Sequence, residues 1–219
     1  MGKEIFNEDQ VRFLETVKSS EDITRSFYLT GGTALAAFYL NHRESEDLDF
    51  FSEKEVEPLA IETFLKSNKT KLGFEKIEFQ RSFNRNLFFL HFKNSLLKTE
   101  FTYFPFTPLE KGGLQGKLKI DSLKDIAVNK VFAISQQSRA RDFVDLYCIV
   151  EKKGWSLKDL LKDARIKFDV HIDLIQFGAQ LIKIQGLADL PKMLIPLDFK
   201  AVENFFLDEA AGFGKNILT

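Results

Sequence analysis

Asp47 and Asp49 are the residues of this chain best placed to do chemistry. In Asp47-Leu48-Asp49-Phe50-Phe51 acid and hydrophobe alternate with the period of a half-buried strand, so both carboxylates leave one face about 7 Å apart at Cα. Their mutual repulsion is relieved by a cation, a proton or solvent. A hard cation such as Mg²⁺ takes one or two carboxylates together with phosphate oxygens, which makes the pair a candidate metal centre. A solvated acidic face on an edge strand is the alternative.

A second feature precedes them. Phe27-Tyr28-Leu29 reads as a short strand that ends at Gly31-Gly32-Thr33, and Ala34 to Leu40 is a compact run of helix formers. Strand, glycines and helix is a layout in which backbone amides approach a phosphate, with the Thr33 hydroxyl donating to that phosphate or capping the helix. Any tight strand-to-helix turn also favours glycine. No Gly-Lys-Ser/Thr follows, so the turn is not a P-loop.

Lys130 lies on the otherwise apolar stripe Leu123, Ile126, Ala127, Val131, Ile134 of a helix beginning near Ser122. An ammonium there is expensive unless its tip reaches water or an anion, so it either snorkels or meets a ligand such as a triphosphate. In the next helix, from about Arg139 to Lys152, Arg139 with Asp142 and Arg141 with Asp145 stand at ion-pair spacings. Surface ion pairs therefore account for these four residues as readily as a binding role does.

The elements that position these groups follow from periodicity. A first helix is expected from Asn7 or Glu8 to Ser19 and another over Pro58 to Ser67. Phe74 to Gln80, Leu87 to Lys93 and Leu96 to Phe104 read as strands, the last two joined by a hairpin at Asn94-Ser95. Pro105 to Gly116 is a turn-rich connection, and Ser156 to Lys167, Val170 to Ile184 and Asp198 to Ala210 read as further helices.

The segment from Gly31-Gly32-Thr33-Ala34-Leu35 through Arg43 and Ser45 to Asp47-Leu48-Asp49-Phe50 resembles the signature of the AbiEii/AbiGii toxin family of the polymerase-beta-like nucleotidyltransferase superfamily. Lys130 followed by Arg139-Ala140-Arg141-Asp142-Phe143-Val144-Asp145-Leu146 resembles the same family's downstream motif, with Arg141 where lysine is more usual. The resemblance implies an α+β fold: a small mixed-sheet nucleotidyltransferase core with helices over residues 1–110, and a helical C-terminal region over 117–219 packed on it. It implies a nucleotide gripped by Gly31, Gly32, Thr33, Lys130, Arg139, Arg141 and Asp142. Asp47 and Asp49 would bind Mg²⁺ or Mn²⁺. A third carboxylate, Glu100, would share one metal or accept the nucleophile's proton, in a place where the family more often has aspartate. The implied reaction moves a nucleoside monophosphate from an NTP to an acceptor hydroxyl on RNA such as a tRNA end, on protein or on a small molecule. A toxin role opposite a separately encoded antitoxin is implied too. The rival reading is a non-catalytic nucleotide- or protein-binding module on the same fold.

Bulk composition is compatible with either. The chain has 219 residues, 44% hydrophobic, with a formal net charge of −1, so no global charge steers it to nucleic acid or anionic membrane. Lys111, Lys117, Lys119 and Lys124 form a local basic stretch that tracks phosphates or merely solvates a surface. Twenty-four phenylalanines against one tryptophan point to aromatic packing. Cys148, the only cysteine, excludes an internal disulfide and reads as an inert buried thiol. His42, His91 and His171 share no metal-ligand spacing. The N-terminus lacks the pattern of a signal peptide and no run approaches a membrane span, so a cytoplasmic protein is expected.

Overall fold

The computed structural model describes residues 5–215, which form two compact units. Residues 1–4, where the N-terminal reading begins, lie outside the described residues. Among the described residues, the first unit comprises 5–39, 45–107 and 111–122; the second comprises 40–44, 108–110 and 123–215.

The first unit is built on a seven-stranded mixed sheet. Its strands are β1 (Tyr28–Thr30), β2 (Leu48–Ser52), β3 (Lys76–Ser82), β4 (Arg85–His91), β5 (Leu96–Tyr103), β6 (Gly113–Gln115) and β7 (Leu118–Ile120). They lie in the order β3-β4-β5-β2-β1-β7-β6; β2 with β5 and β1 with β7 are parallel, and the other neighbours are antiparallel. The fold is thus α+β with a mixed sheet, as the resemblance implied. β6 and β7 fall in and beside the stretch expected to be a turn-rich connection. Each has three residues, too few for a period of two to register.

Leu29, Leu48, Phe50, Phe88, Leu90, Leu97 and Phe101 fill one side of this sheet and are buried. Phe50 stacks on Phe101 at 5.0 Å between ring centroids, Phe88 and Phe27 meet Phe101 edge-on, and Phe13 of α1 (Glu8–Lys18) covers Phe50. These five phenylalanines are part of the core, and each such pair adds about 0.5–1.5 kcal/mol beyond its buried area. Because side chains alternate along a strand, the residues between these apolar positions share the opposite face. That face carries Asp49, Lys98 and Glu100.

Four more helices complete the unit: α2 (Glu21–Ser26), α3 (Gly31–Leu35), α4 (Pro58–Ser67) and α5 (Lys69–Leu72). Pro58 opens α4 at the position where its missing N–H is harmless. A π-helical turn, Ala36–Leu40, follows α3 directly. The expected helix after the glycine turn therefore starts three residues earlier, at Gly31.

The second unit is helical: α6 (Leu123–Gln136), α7 (Ala140–Lys153), α8 (Leu157–Phe168), α9 (Leu174–Ile182) and α10 (Phe199–Lys215). Gly154 ends α7 in the left-handed conformation, φ 64°, which glycine adopts without strain. α10 runs five residues beyond the Ala210 expected as its end. Phe143 of α7 meets Phe206 of α10 at 4.9 Å, and Phe177 of α9 meets Phe213. No helix among the described residues is long and apolar enough to cross a membrane.

Candidate active site

Asp47 immediately precedes β2 and Asp49 is its second residue; both are half-buried. In the parallel pairing of β2 with β5, Asp49 stands directly beside Glu100. Two strands thus bring three carboxylates onto one face, with Glu100 on the strand next to β2. Among the described residues, no three His, Cys, Asp or Glu side chains converge closely enough to form a metal cluster by themselves. The donor set is nevertheless all carboxylate oxygen, the chemistry a hard divalent cation takes, and in that respect Asp47, Asp49 and Glu100 fit Mg²⁺ or Mn²⁺.

Their present partners are cations of the protein. Lys98 Nζ donates to Asp47 Oδ2 at 2.6 Å, both side chains being about a quarter exposed. Arg85 forks onto Glu100, Nε to Oε1 at 2.8 Å and Nη2 to Oε2 at 2.5 Å. Thr102 Oγ1 adds a further bond to Glu100 Oε1. The hydrogen bonds that Arg85 donates to Glu100 are the main influence holding its guanidinium above its ordinary pKa, outweighing partial burial, and the charges of Glu100, Asp49 and Asp47 act in the same direction. Sequence reading did not single out Arg85 or Lys98 as part of the site. The available signal was parity: Lys98 and Glu100 are two apart on a strand and so share a face.

Gly31, Gly32 and Thr33 have more local work than phosphate binding alone would give them. Gly31 has φ 72°, and a Cβ built there would run into the Asp49 carboxylate, with Asp49 Cγ 3.1 Å away. Both the backbone and the neighbouring acid therefore require glycine. Gly32 is half-buried in the first turn of α3. Thr33 is not the helix cap: Thr30 takes that position, and its hydroxyl donates to Asp121 at 2.6 Å. The buried Thr33 hydroxyl instead donates to the Asp47 carbonyl and shares a 2.7 Å bond with Ser45 Oγ. From α1, Gln10 Nε2 donates to the carbonyls of Ser45 and Glu46. The segment entering Asp47 is fixed at three consecutive residues.

In the second unit, Lys130 is buried and its ammonium lies 2.7 Å from Asp142 Oδ1 and 2.6 Å from Asp145 Oδ2. The anion that relieves its burial is therefore supplied by α7, and snorkelling to bulk water is not how this lysine is satisfied. Asp145 also accepts from Arg43 Nε and Nη2 at 2.6 and 2.8 Å and from His42 Nε2 at 2.8 Å. Arg139 holds Asp142 at 2.7 Å, the spacing expected of an ion pair. The expected Arg141–Asp145 pair does not form; Asp145 turns inward and Arg141 is exposed. Burial pushes the Asp145 carboxyl up, but Lys130 and Arg43 outweigh it and hold the group well below the usual carboxylate range. Asp142 is shifted down likewise by Lys130 and Arg139 against its burial.

The basic stretch is largely occupied within each unit. Lys117 pairs with Glu21, Lys119 Nζ donates to the Arg25 carbonyl, and Lys124 pairs with Asp163 while lying 4.6 Å from the Trp155 ring centroid. Cys148 is only partly buried, and its thiol is pushed up to about 11, chiefly by desolvation.

These features can be set beside known proteins. An uncharacterized protein, aq_aa25, of Aquifex aeolicus strain VF5 is 33% identical over 202 residues, spanning 90% of this chain and 92% of that protein. The crystal structure of JHP933 from Helicobacter pylori superposes with a TM-score of 0.59 at 20% identity, over 95% of this chain and 91% of the other. A second H. pylori crystal structure, described as a candidate nucleotidyltransferase, gives a TM-score of 0.60 at 20% identity over 99% and 97% of the two chains. Residues 12–211 match the family described as nucleotidyl transferase AbiEii toxin, type IV TA system, and that span takes in both the Asp47–Asp49 face and the Lys130–Asp145 network. By that match the chain belongs to the AbiEii nucleotidyltransferase toxin family.

Proposed function

We propose that this protein is a metal-dependent nucleotidyltransferase that moves a nucleoside monophosphate from an NTP to an acceptor hydroxyl, as the toxin partner of a separately encoded antitoxin. The observation that carries the reading is the register of β2 on β5, which sets Asp49 directly beside Glu100 with Asp47 on the same face. Family membership supports the reaction class.

Asp47 and Asp49 would hold Mg²⁺ or Mn²⁺, which when bound neutralises phosphate charge and polarises the reacting phosphorus centre. Glu100 sits beside Asp49 and would accept the acceptor hydroxyl's proton or share the metal. Gly31 gives Asp49 room, Thr33 and Gln10 fix the backbone entering Asp47, and Gly32 lines the same turn. For the second unit by itself, the reading keeps Lys130, Arg139, Arg141 and Asp142 as candidate nucleotide-binding residues.

A specific observation also favours the rival reading, a nucleotide- or protein-binding module without turnover: Asp47 and Glu100 are each already neutralised by a basic side chain. One experiment separates the two and names the acceptor. Each α-labelled NTP is incubated with Mg²⁺ or Mn²⁺ and with cellular RNA, protein and small-molecule fractions. Transfer predicts label in one fraction with release of pyrophosphate. A binding module gives nucleotide-dependent thermal stabilisation with no pyrophosphate, and that result overturns the transferase reading.

A further inference from the structure

We infer that Arg85 and Lys98 are resident counter-cations of the Asp47–Asp49–Glu100 face, which occupy its carboxylates in the metal-free protein, yield them to a divalent metal, and then bind the phosphates of the incoming nucleotide. This rests on the metal-binding reading of that face and extends it to two residues.

The geometry is specific. Arg85 stands directly across from Thr102, while the neighbour directly across from Glu100 is Leu87, yet the guanidinium reaches diagonally and takes both oxygens of Glu100. Glu100 is almost fully buried and Arg85 is half exposed, so the acid is fixed and the cation is free to move into solvent. A buried carboxylate needs a counter-charge, whether from arginine, a proton or a metal. The same holds at the other end of the face, where Lys98 caps Asp47 from a partly exposed position.

Charge balance gives the direction of the exchange. Lys98 and Arg85 offset the charges of Asp47 and Glu100 on the metal-free face. A bound dication would take over that neutralisation, and the two freed cationic side chains would then lie beside a centre that attracts an anion. Arginine and lysine suit that second task, because a planar guanidinium matches phosphate oxygens and an ammonium serves as a mobile point charge. The inference therefore gives Arg85 and Lys98 opposite effects on two ligands: they compete with metal and assist nucleotide. A merely structural ion pair would compete with metal without assisting nucleotide.

The test measures both ligands on the full chain. Free Mn²⁺ is followed by electron paramagnetic resonance in titrations of the wild type, Arg85→Gln, Lys98→Met and Asp49→Asn without nucleotide. Binding of an α,β-methylene NTP with Ca²⁺ is measured alongside. Arg85→Gln and Lys98→Met should each bind Mn²⁺ about two- to fivefold more tightly, the factor expected on removing a partly exposed competing charge, and bind the nucleotide analogue more weakly. In the wild type, the Arg85 Nε–H resonance should lose its hydrogen-bonded shift when Mg²⁺ is added, a readout that needs no substitution. Unchanged or weaker Mn²⁺ binding in both variants, with binding lost in Asp49→Asn, overturns the counter-cation role and leaves the metal site standing. Equal Mn²⁺ binding by the wild type and Asp49→Asn removes the metal site and this inference together.

Discussion

Replacing Asp145 by asparagine removes one charge from a side chain that is wholly buried and faces Arg43, Lys130 and His42. The carboxylate accepts two bonds from Arg43, one from His42 and one contact from Lys130, all at 2.6–2.8 Å. An amide keeps the volume but turns an NH₂ group toward a cation. Lys130 retains Asp142, whereas Arg43 loses the carboxylate that takes both its Nε and Nη2. Breaking a buried pair from one side costs about 3–5 kcal/mol, which for a chain of this size lowers the melting temperature by about 6–20 °C. Circular dichroism melts and urea titrations at pH 7 measure it. The pH dependence follows from the direction of the shift: Asp145 is held below its ordinary pKa, so its contribution is complete above about pH 4 and is lost as pH falls through the lower folded value. The gap between wild type and variant should therefore be full at pH 7 and shrink in stronger acid. A loss under about 1 kcal/mol at pH 7, the size of an exposed pair, would refute the buried-network account.

Gly31→Ala should destabilise the protein by about 1–2 kcal/mol from the positive φ alone, and should weaken Mn²⁺ binding because the new methyl group displaces Asp49; unchanged Mn²⁺ affinity would separate Gly31 from the acids. Thr33→Val leaves the Asp47 carbonyl without its hydroxyl donor, with an expected loss of about 1–3 kcal/mol in denaturant titration; a neutral effect would show that Gln10 fixes the segment without it. Cys148, with its thiol pushed up to about 11, should react with a disulfide reagent at pH 8 far more slowly in the native protein than in urea, and equal rates would contradict its desolvation.

Local pattern carried the first half of the site. The alternation around Asp47 and Asp49 is visible in five residues, and it survives in the structure as a strand with Leu48 and Phe50 inward. The glycines at 31 and 32 were equally legible as a turn. What the turn is for was not legible, because the Asp49 carboxylate that demands Gly31 arrives from a different strand. Long-range partners explain the other omissions. Lys98 meets Asp47 across 51 residues, and His42 and Arg43 meet Asp145 across 103 and 102. A helical wheel showed Lys130 to be anomalous among apolar neighbours, but it could not show that α7 turns two aspartates toward it. For the same reason Arg141, read as pairing with Asp145 along one helix, stands exposed. The pairing rule considers a helix in isolation, and tertiary packing rotated Asp145 into the core.

The central claim, nucleoside monophosphate transfer at the Asp47–Asp49 face, is tested most directly by following two labels of one NTP. With Mg²⁺ or Mn²⁺ and the acceptor fraction, the wild type should move the α-phosphate label into the acceptor while the γ-phosphate label leaves as pyrophosphate. Asp47→Asn and Asp49→Asn should each abolish that transfer while folding normally, since both side chains are only half-buried and the Asp47 pair with Lys98 is partly exposed. Incorporation of the γ label, or undiminished transfer of the α label by either purified variant, would contradict the account.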